Sequence, residues 1–269
     1  MLTRIAVGRD RVVREVRAAA PLMADLRAPV TARAPWLTAV LNASAARRGG
    51  GRPVAVVVDP HGQGRPEAVA FLALRRRTAV TLVTMLGDGV GPLPQGWPPA
   101  RLLARDPSAA EQLAAGICDV LGTLRGPHRL RLTGLPLGDP TVRALAARLP
   151  DGMVGNARST AITDALDGAG EVWRTRDPRE LDRRLPELLA RVPRAGDRAF
   201  LRAAARLHAA IGQLELAVLP GRDGPRAALL TLLDGGARMP WWGWSDVGGL
   251  DAAMGAPVVT LSDPARGWP

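Results

Sequence analysis

Two stretches of this chain, about 160 residues apart, repeat the same order of structural signals. Each runs from a helical pattern to a strand, a Gly-containing turn, two more strands, an Asp, a further strand and an Asp-Pro pair. The aligned positions are Pro53 with Leu214, Gly64 with Gly224, Ala68 with Ala227, Asp88 with Asp246, and Asp106 with Asp263. The offset drifts by only a few residues, as expected for a duplicated unit with small insertions in its turns. The sequence therefore predicts a tandem fold.

The individual elements predict an α/β fold of the α+β type, with a mixed sheet in each copy. Helical patterns cover 10–27, 34–46 and 197–210. Apolar runs predict strands at 53–59, 67–77, 79–88, 100–105, 129–136, 213–220, 226–234, 239–246 and 256–264. Three more helices are expected to begin at Asp-Pro pairs, with Asp as N-cap and Pro as the first helical residue. These N-caps are Asp106, Asp139 and Asp177.

The two copies are expected to end differently. In the first copy Asp106-Pro107 is predicted to begin a long helix, whereas Asp263-Pro264 is followed only by the sequence ARGWP. This pattern predicts a second unit that is truncated where its next helix should begin. We place the first unit at 1–155, including its N-terminal helices, and the shortened second unit at 156–269.

The charged residues exclude several kinds of chemistry. The net charge is +11, and all 36 basic residues are arginine. Without lysine there is no Schiff-base, pyridoxal-phosphate or P-loop lysine. The positive charge would attract anions, but a GC-rich genome also explains it. The arginines form no dense run longer than that within 74–78 and are not interleaved with aromatic residues, so nucleic acid is not the expected partner.

The sequence also argues against export and metal binding. Arginines interrupt the first residues before an apolar core of signal-peptide length develops, and no apolar run approaches the roughly 20 residues of a membrane span. A cytoplasmic location is therefore expected. Cys118 is the single cysteine and is interpreted as an inert core thiol. Because His61, His128 and His208 share no metal-ligand spacing, no metal cofactor is expected.

The element order resembles that of the GNAT acyltransferase superfamily, in particular its CelD-like and Fem-like tandem members. The segments that carry this resemblance are 34–41, 53–59, 68–77, 85–89, 129–140 and 200–219. The resemblance implies transfer of an acyl group from a CoA thioester, or of an aminoacyl group from tRNA, to an amine. It implies an acyl-CoA as the donor and a small-molecule amine as the acceptor.

The donor-binding turn of the GNAT superfamily has no counterpart in this sequence. That turn, Gln/Arg-x-x-Gly-x-Gly/Ala, binds the CoA pyrophosphate at a helix N-terminus. Here the corresponding helix begins with Asp106, whose carboxylate would repel a phosphate, and with Pro107, which removes one N–H donor. No cofactor-binding residue is therefore assigned.

The candidate site residues follow from the same comparison. Asp88 and Asp246 are expected to close the third strand of each copy, where a carboxylate could orient or deprotonate an amine. The alternative is that both are ordinary turn residues. Trp242 and Trp244 are predicted to share one strand face, with Trp241 on the other. They could form the floor of a cleft, or receive an arginine or an acyl chain, and Arg76 is added as a substrate-binding candidate.

Two functions remain open at this stage, and the tryptophans have a structural alternative. The tryptophans could instead cover the edge of a sheet. The chain is either an acyltransferase or a non-catalytic binding module that retains the fold. As an enzyme it could use an unusual donor site, or depend on a partner subunit or a second copy that completes the second unit.

Overall fold

A computed structural model of the protein describes residues 2–47, 51–59, 62 and 64–266. Within these ranges the helices are α1 (Arg9–Ala18), α2 (Ala20–Asp25), α3 (Ala34–Ala45), α4 (Pro107–Gly122), α5 (Pro140–Arg148), α6 (Pro178–Leu189) and α7 (Ala195–Ala210). The strands are β1 (Leu2–Val7), β2 (Arg52–Asp59), β3 (Ala68–Arg77), β4 (Val80–Met85), β5 (Leu103–Ala104), β6 (His128–Pro136), β7 (Met153–Asp164), β8 (Trp173–Thr175), β9 (Leu214–Leu219), β10 (Ala227–Asp234), β11 (Ala237–Ser245) and β12 (Leu250–Arg266).

The chain divides into two compact units. Unit one comprises residues 1–88, 100–157 and 257–269, and unit two comprises 89–99 and 158–256. The expected boundary after residue 155 lies close to the end of the second segment of unit one. The structure differs in assigning 89–99 to unit two and 257–269 to unit one. Packing partners decide these assignments, and the order of residues along the chain does not reveal them.

One sheet is mixed and the other is antiparallel, which confirms the α/β class predicted from the sequence. In the described residues one sheet has the order β1-β2-β3-β4-β6-β12-β7, with β5 paired to β3. Strands β1 to β4 are antiparallel neighbours, whereas β4 and β6 run parallel. Parallel neighbours need a crossover connection, and α4 lies in that connection. The second sheet has the order β11-β10-β9-β8.

The strand orders confirm the internal repeat. In the first copy β1 is followed by helices and then by the meander β2-β3-β4, with β1 pairing to β2. In the second copy β8 is followed by α6, α7 and the meander β9-β10-β11, with β8 pairing to β9. The two meanders are antiparallel throughout. Two copies of one supersecondary unit therefore account for β1 to β4 of the first sheet and for the four strands of the second.

One element of the repeat differs from the expectation. Asp263 and Pro264 do not begin a helix but lie inside β12, which continues to Arg266. Asp263 is opposite Leu130 of β6 and is buried. Pairing with a neighbouring strand overrides the local Asp-Pro signal here, as tertiary context often does. Strands β1, β7 and β8 were not among the strands predicted from the sequence.

The core of unit one lies where α4 and α5 pack on the sheet. Val56 and Leu72 of the sheet and Leu113 and Ile117 of α4 are fully buried in the same cluster. Each buried aliphatic side chain of this size stabilises the fold by about 1.5–3 kcal/mol. The approach of α4 is close: a Cβ on Gly116 would lie 2.6 Å from Thr3 Cγ2 and 2.7 Å from Val56 Cγ1. A glycine is therefore required on this helix face.

Candidate functional site

The parallel ladder between β4 and β6 stops one residue before the end of β4 at Met85. The ladder runs from Thr81 opposite His128 to Thr84 opposite Arg131, and no further pair is formed between these strands within the described residues. β6 continues to Pro136 and pairs on its other side with β12. Ala100 donates a backbone hydrogen bond to the Gly134 carbonyl oxygen at 3.1 Å. β6 therefore extends beyond the end of its parallel neighbour β4.

Asp88 lies in the turn just beyond the end of β4. It follows Met85, the last residue of β4, and its backbone N–H donates to the Met85 carbonyl oxygen at 3.1 Å. The Arg75 guanidinium donates a hydrogen bond to the Asp88 carbonyl oxygen. Burial lowers the pKa of Arg75, and the negative charge of Asp88 acts in the opposite direction. Asp88 is half-buried and held by its backbone, with its carboxylate at the end of β4.

Arg75 is the cation beside Asp88, whereas the substrate-binding candidate Arg76 lies elsewhere on β3. Successive side chains of a strand point to opposite faces, so Arg75 and Arg76 face different sides of β3. Arg76 is exposed and lies opposite Thr81, at the start of β4. The sequence suggested only a run of arginines at this point. The choice within that run depends on how the turn after β4 folds back.

Helix α4, which follows β5, has a side-chain N-cap, as the sequence predicted. The Asp106 carboxylate accepts a hydrogen bond from the Ala109 N–H at 2.8 Å, and proline follows in the first turn. An anion at this end of α4 would meet a carboxylate instead of free N–H donors. The usual position for a pyrophosphate at a helix N-terminus is therefore occupied.

The helix after β6 is closed in the same way. Asp139 accepts hydrogen bonds from the N–H groups of Thr141 at 2.8 Å and Val142 at 3.2 Å. Burial raises the pKa of Asp139, while these hydrogen bonds and the charge of Arg101 act to lower it. The carboxylate is a structural cap, and it carries a cost of burial when ionised.

In unit two, Asp246 is engaged in an ion pair. It follows β11, and both of its carboxylate oxygens accept hydrogen bonds from the Arg191 guanidinium, at 2.8 and 3.4 Å. Its backbone N–H donates to the Arg226 carbonyl oxygen at 2.8 Å. The arrangement matches that of a structural turn residue more closely than that of a free base. Arg191 lies in a loop after α6, and nothing in the sequence indicated this partner.

Trp242 and Trp244 share a face of β11, as predicted. Trp242 lies opposite Leu230 and Trp244 opposite Ala228, two positions apart on the same partner strand. The Arg191 guanidinium lies 4.3 Å from the centroid of the Trp244 ring, so an arginine of the chain itself covers this indole. Among the described residues, the Trp244 indole N–H is buried without a hydrogen-bond partner.

Trp241 belongs to the core of unit two. The register of β10 and β11 shifts at this point, with Leu230 opposite Trp242 and Thr231 opposite Pro240. Trp241 occupies the extra position of this irregularity, so simple alternation does not set its direction. It is buried, and its ring meets Phe200 edge to face with 6.4 Å between centroids. β11 is an edge strand, which supports the structural interpretation of the aromatic cluster.

Metal ligation and membrane crossing find no support in the described part of the chain. No three or more His, Cys, Asp or Glu side chains are grouped there as metal ligands. His208 is buried on α7 and His128 begins β6, while His61 lies outside the described residues. No described helix is long and apolar enough to cross a membrane.

Comparison with known proteins gives similarity at the level of structure alone. No family model matches the chain, and no curated protein matches it in sequence. Among solved structures, it is similar to FemX, with 12% identity over 86% of this chain and 58% of that one and a TM-score of 0.46. It is also similar to a tandem GNAT protein from the clavulanic acid biosynthesis pathway, with 14% identity over 88% and 76% of the chains and a TM-score of 0.37.

In fold, the chain is similar to these two proteins. The chain spans only 58% of the length of FemX. At these identities and TM-scores neither match assigns a residue or a reaction to the chain.

Proposed function

We propose that this chain is a GNAT-like N-acyltransferase, or a degenerate relative of one, that moves an acyl group from a CoA-type donor to an amine. The observation that carries the proposal is the end of the β4–β6 ladder after Thr84 and Arg131. Beyond this point β6 continues without β4 beside it, and a strand that extends past its neighbour offers peptide groups with which an extended molecule can pair. The arm of a CoA-type thioester is extended and carries amide groups, so it suits such a strand.

In this proposal Asp88 is the base that orients or deprotonates the acceptor amine. Its backbone is held by hydrogen bonds with Met85 and Arg75, just beyond the end of β4. A carboxylate at that end can accept a proton from an amine as nitrogen attacks the thioester carbonyl. The thiolate of the donor is then the leaving group. Arg75 is the positioning residue for the Asp88 turn.

Two of the unit-two candidates, Asp246 and Trp244, receive structural roles. Asp246 is neutralised by Arg191, and the same guanidinium covers Trp244. Trp242 remains a candidate for substrate contact, and so does Arg76 on the exposed side of β3. Self-association or a partner subunit remains a prediction, which light scattering of the purified chain would test.

The test has a binding step and a catalytic step. Titration with acetyl-CoA and longer acyl-CoAs should raise the melting temperature as the ligand exceeds its Kd. Release of free CoA thiol in the presence of an amine panel then measures transfer. Asp88→Asn should lower kcat by about 100-fold or more, as for removal of a general base. The matched control Asp246→Asn should retain most of the activity, and equal losses in both variants would contradict the assignment.

A non-catalytic binding module is the second candidate, and one observation favours it. The Asp106 carboxylate caps α4 where a donor pyrophosphate would otherwise be bound. If no acyl-CoA changes the melting temperature at any chain length, the binding module is the better description.

A further inference from the structure

We propose that unit one binds an amphiphilic anion, a carboxylate or phosphate on an apolar chain, in a pocket between α2 and α3. The pocket has a volume of about 400 Å³, within the range of small-molecule sites. Its residues are distinct from those at the end of the β4–β6 ladder, so the inference goes beyond the proposed function and does not depend on it. The apolar lining consists of Ala20, Met23, Ala24, Ala34 and Pro35.

The charged lining of the pocket is entirely positive. Arg27 and Arg33 line it, and no carboxylate from the part of the chain that the structure describes does. Guanidinium groups present several N–H donors in a plane that matches carboxylate and phosphate oxygens. A positive rim above an apolar lining is complementary to a molecule with an anionic head and an apolar body. It is not complementary to a cation or to a neutral polar molecule.

Arg27 is available for such a ligand. Among the described residues its guanidinium makes no hydrogen bond or ion pair. Its backbone lies in the turn that ends α2, where its N–H donates to the Ala24 carbonyl oxygen at 3.0 Å and the Ala28 N–H donates to the Met23 carbonyl oxygen at 2.8 Å. The φ angle of Arg27 is +46°, a conformation that favours glycine. An ordered turn therefore holds a charged side chain at the pocket.

Arg33 is oriented by the backbone on the other side of the same loop. Its Nε–H donates to the Ala28 carbonyl oxygen at 2.6 Å. This bond restricts the plane of the guanidinium at the pocket. Met23 is only 2% exposed, so the apolar part of the pocket reaches into the packed side of α2.

Calorimetric titration of the full chain tests the proposal with two anions that share an octyl chain. Sodium octanoate and octyl phosphate carry the two head groups, and 1-octanol is the neutral match. We expect one molecule of at least one anion to bind per chain, about tenfold or more tighter than octanol. Whichever anion binds more tightly identifies the head group. Acetate should bind more weakly than octanoate, because it cannot use the apolar lining.

Two variants test separately the contribution of the Arg27 charge and that of the pocket volume. Arg27→Gly removes the charge at a φ that glycine prefers, and should weaken anion binding by about fivefold or more. Thr78→Gly is the matched control, because Thr78 also has a positive φ, +52°, but does not line the pocket. Ala24→Trp leaves both arginines in place and fills the pocket from an exposed helix position, and should weaken binding of both anions.

The proposal is overturned by any of three results on folded protein. The first is the absence of saturable binding of either anion up to about 5 mM, which is the range of weak small-molecule affinity. The second is equal binding of octanol and the anions, which would indicate an apolar groove without head-group recognition. The third is equal affinity in Arg27→Gly and Thr78→Gly. A chain that binds acyl-CoA but neither anion would contradict only this inference.

Discussion

The indole nitrogen of Trp241 donates a hydrogen bond to the backbone carbonyl oxygen of Pro92, with 2.9 Å between the two atoms. This bond ties β11 to the Gly- and Pro-rich segment 89–99 within unit two. The same segment approaches Phe200 so closely that a Cβ on Gly91 would overlap the ring. Trp241, one of the three clustered tryptophans, therefore holds the 89–99 loop against β11.

The Trp241 hydrogen bond predicts a difference between two similar substitutions. Trp241→Phe should lower the free energy of unfolding by about 1–3 kcal/mol, because it leaves the Pro92 carbonyl without this donor and removes part of a buried ring. Trp244→Phe removes an N–H that has no partner in the described structure, and should cost less or be neutral. Urea unfolding of both variants measures this. A larger loss for Trp244→Phe would contradict the assignment.

The close packing of α4 predicts opposite effects at two glycines of one helix. Gly116→Ala should destabilise unit one by about 1–3 kcal/mol, because the new methyl group would overlap Thr3 and Val56. Gly122→Ala meets no atom within 4 Å and should be neutral or stabilise by up to about 1 kcal/mol, as alanine favours helix. Thermal unfolding of both variants would test this. Equal effects would show that the α4 approach is looser than described.

The cap of α4 predicts a gain of donor affinity. Asp106→Asn keeps an oxygen that can accept the Ala109 N–H but removes the negative charge. If a CoA pyrophosphate approaches this helix end, affinity should rise by about threefold to tenfold. Asp177→Asn, the same change at the cap of α6 in unit two, is the control and should leave affinity unaltered. An unchanged Kd in Asp106→Asn would place the pyrophosphate away from α4.

The buried cap of α5 predicts a pH dependence of stability. Burial raises the pKa of Asp139 above the ordinary value of 3.8, so the folded state favours the protonated carboxyl more than the unfolded state does. The contribution of this group is therefore fully present below pH 3.8 and is lost as pH rises through the folded-state pKa. Asp139→Asn retains the cap but does not titrate. Relative to the wild type, the variant should gain stability from pH 4 to 7, and a flat difference would contradict this.

The exposed ion pair of Arg191 and Asp246 predicts a small energetic coupling. Both side chains are about half exposed, so a double-mutant cycle of Arg191→Ala and Asp246→Ala should give only about 0.2–1 kcal/mol. Arg191→Ala should also change the fluorescence of Trp244, because its guanidinium covers that ring. A coupling well above this range would indicate a desolvated pair and reopen a functional role for Asp246.

Much of the fold could be predicted from local patterns. The meanders, the Asp caps of α4, α5 and α6, and the shared face of Trp242 and Trp244 follow from turn residues, cap residues and the two-residue strand period. The contacts of the candidate site residues were harder to predict from the sequence. Arg75 and Arg191 each reach a partner through a loop, and loop paths depend on contacts between residues far apart in sequence. The Asp263-Pro264 signal failed because strand pairing with β6 outweighed it.

The amino-acid sequence by itself determined the duplicated order of elements and the capped N-termini of α4, α5 and α6, because these depend on neighbours within a few residues. Only the tertiary structure decided that 89–99 packs in unit two, that β12 pairs with β6, and that Arg27 and Arg33 line one pocket. Those outcomes depend on which distant surfaces bury each other, and burial is a property of the packed chain, which no short stretch of sequence specifies.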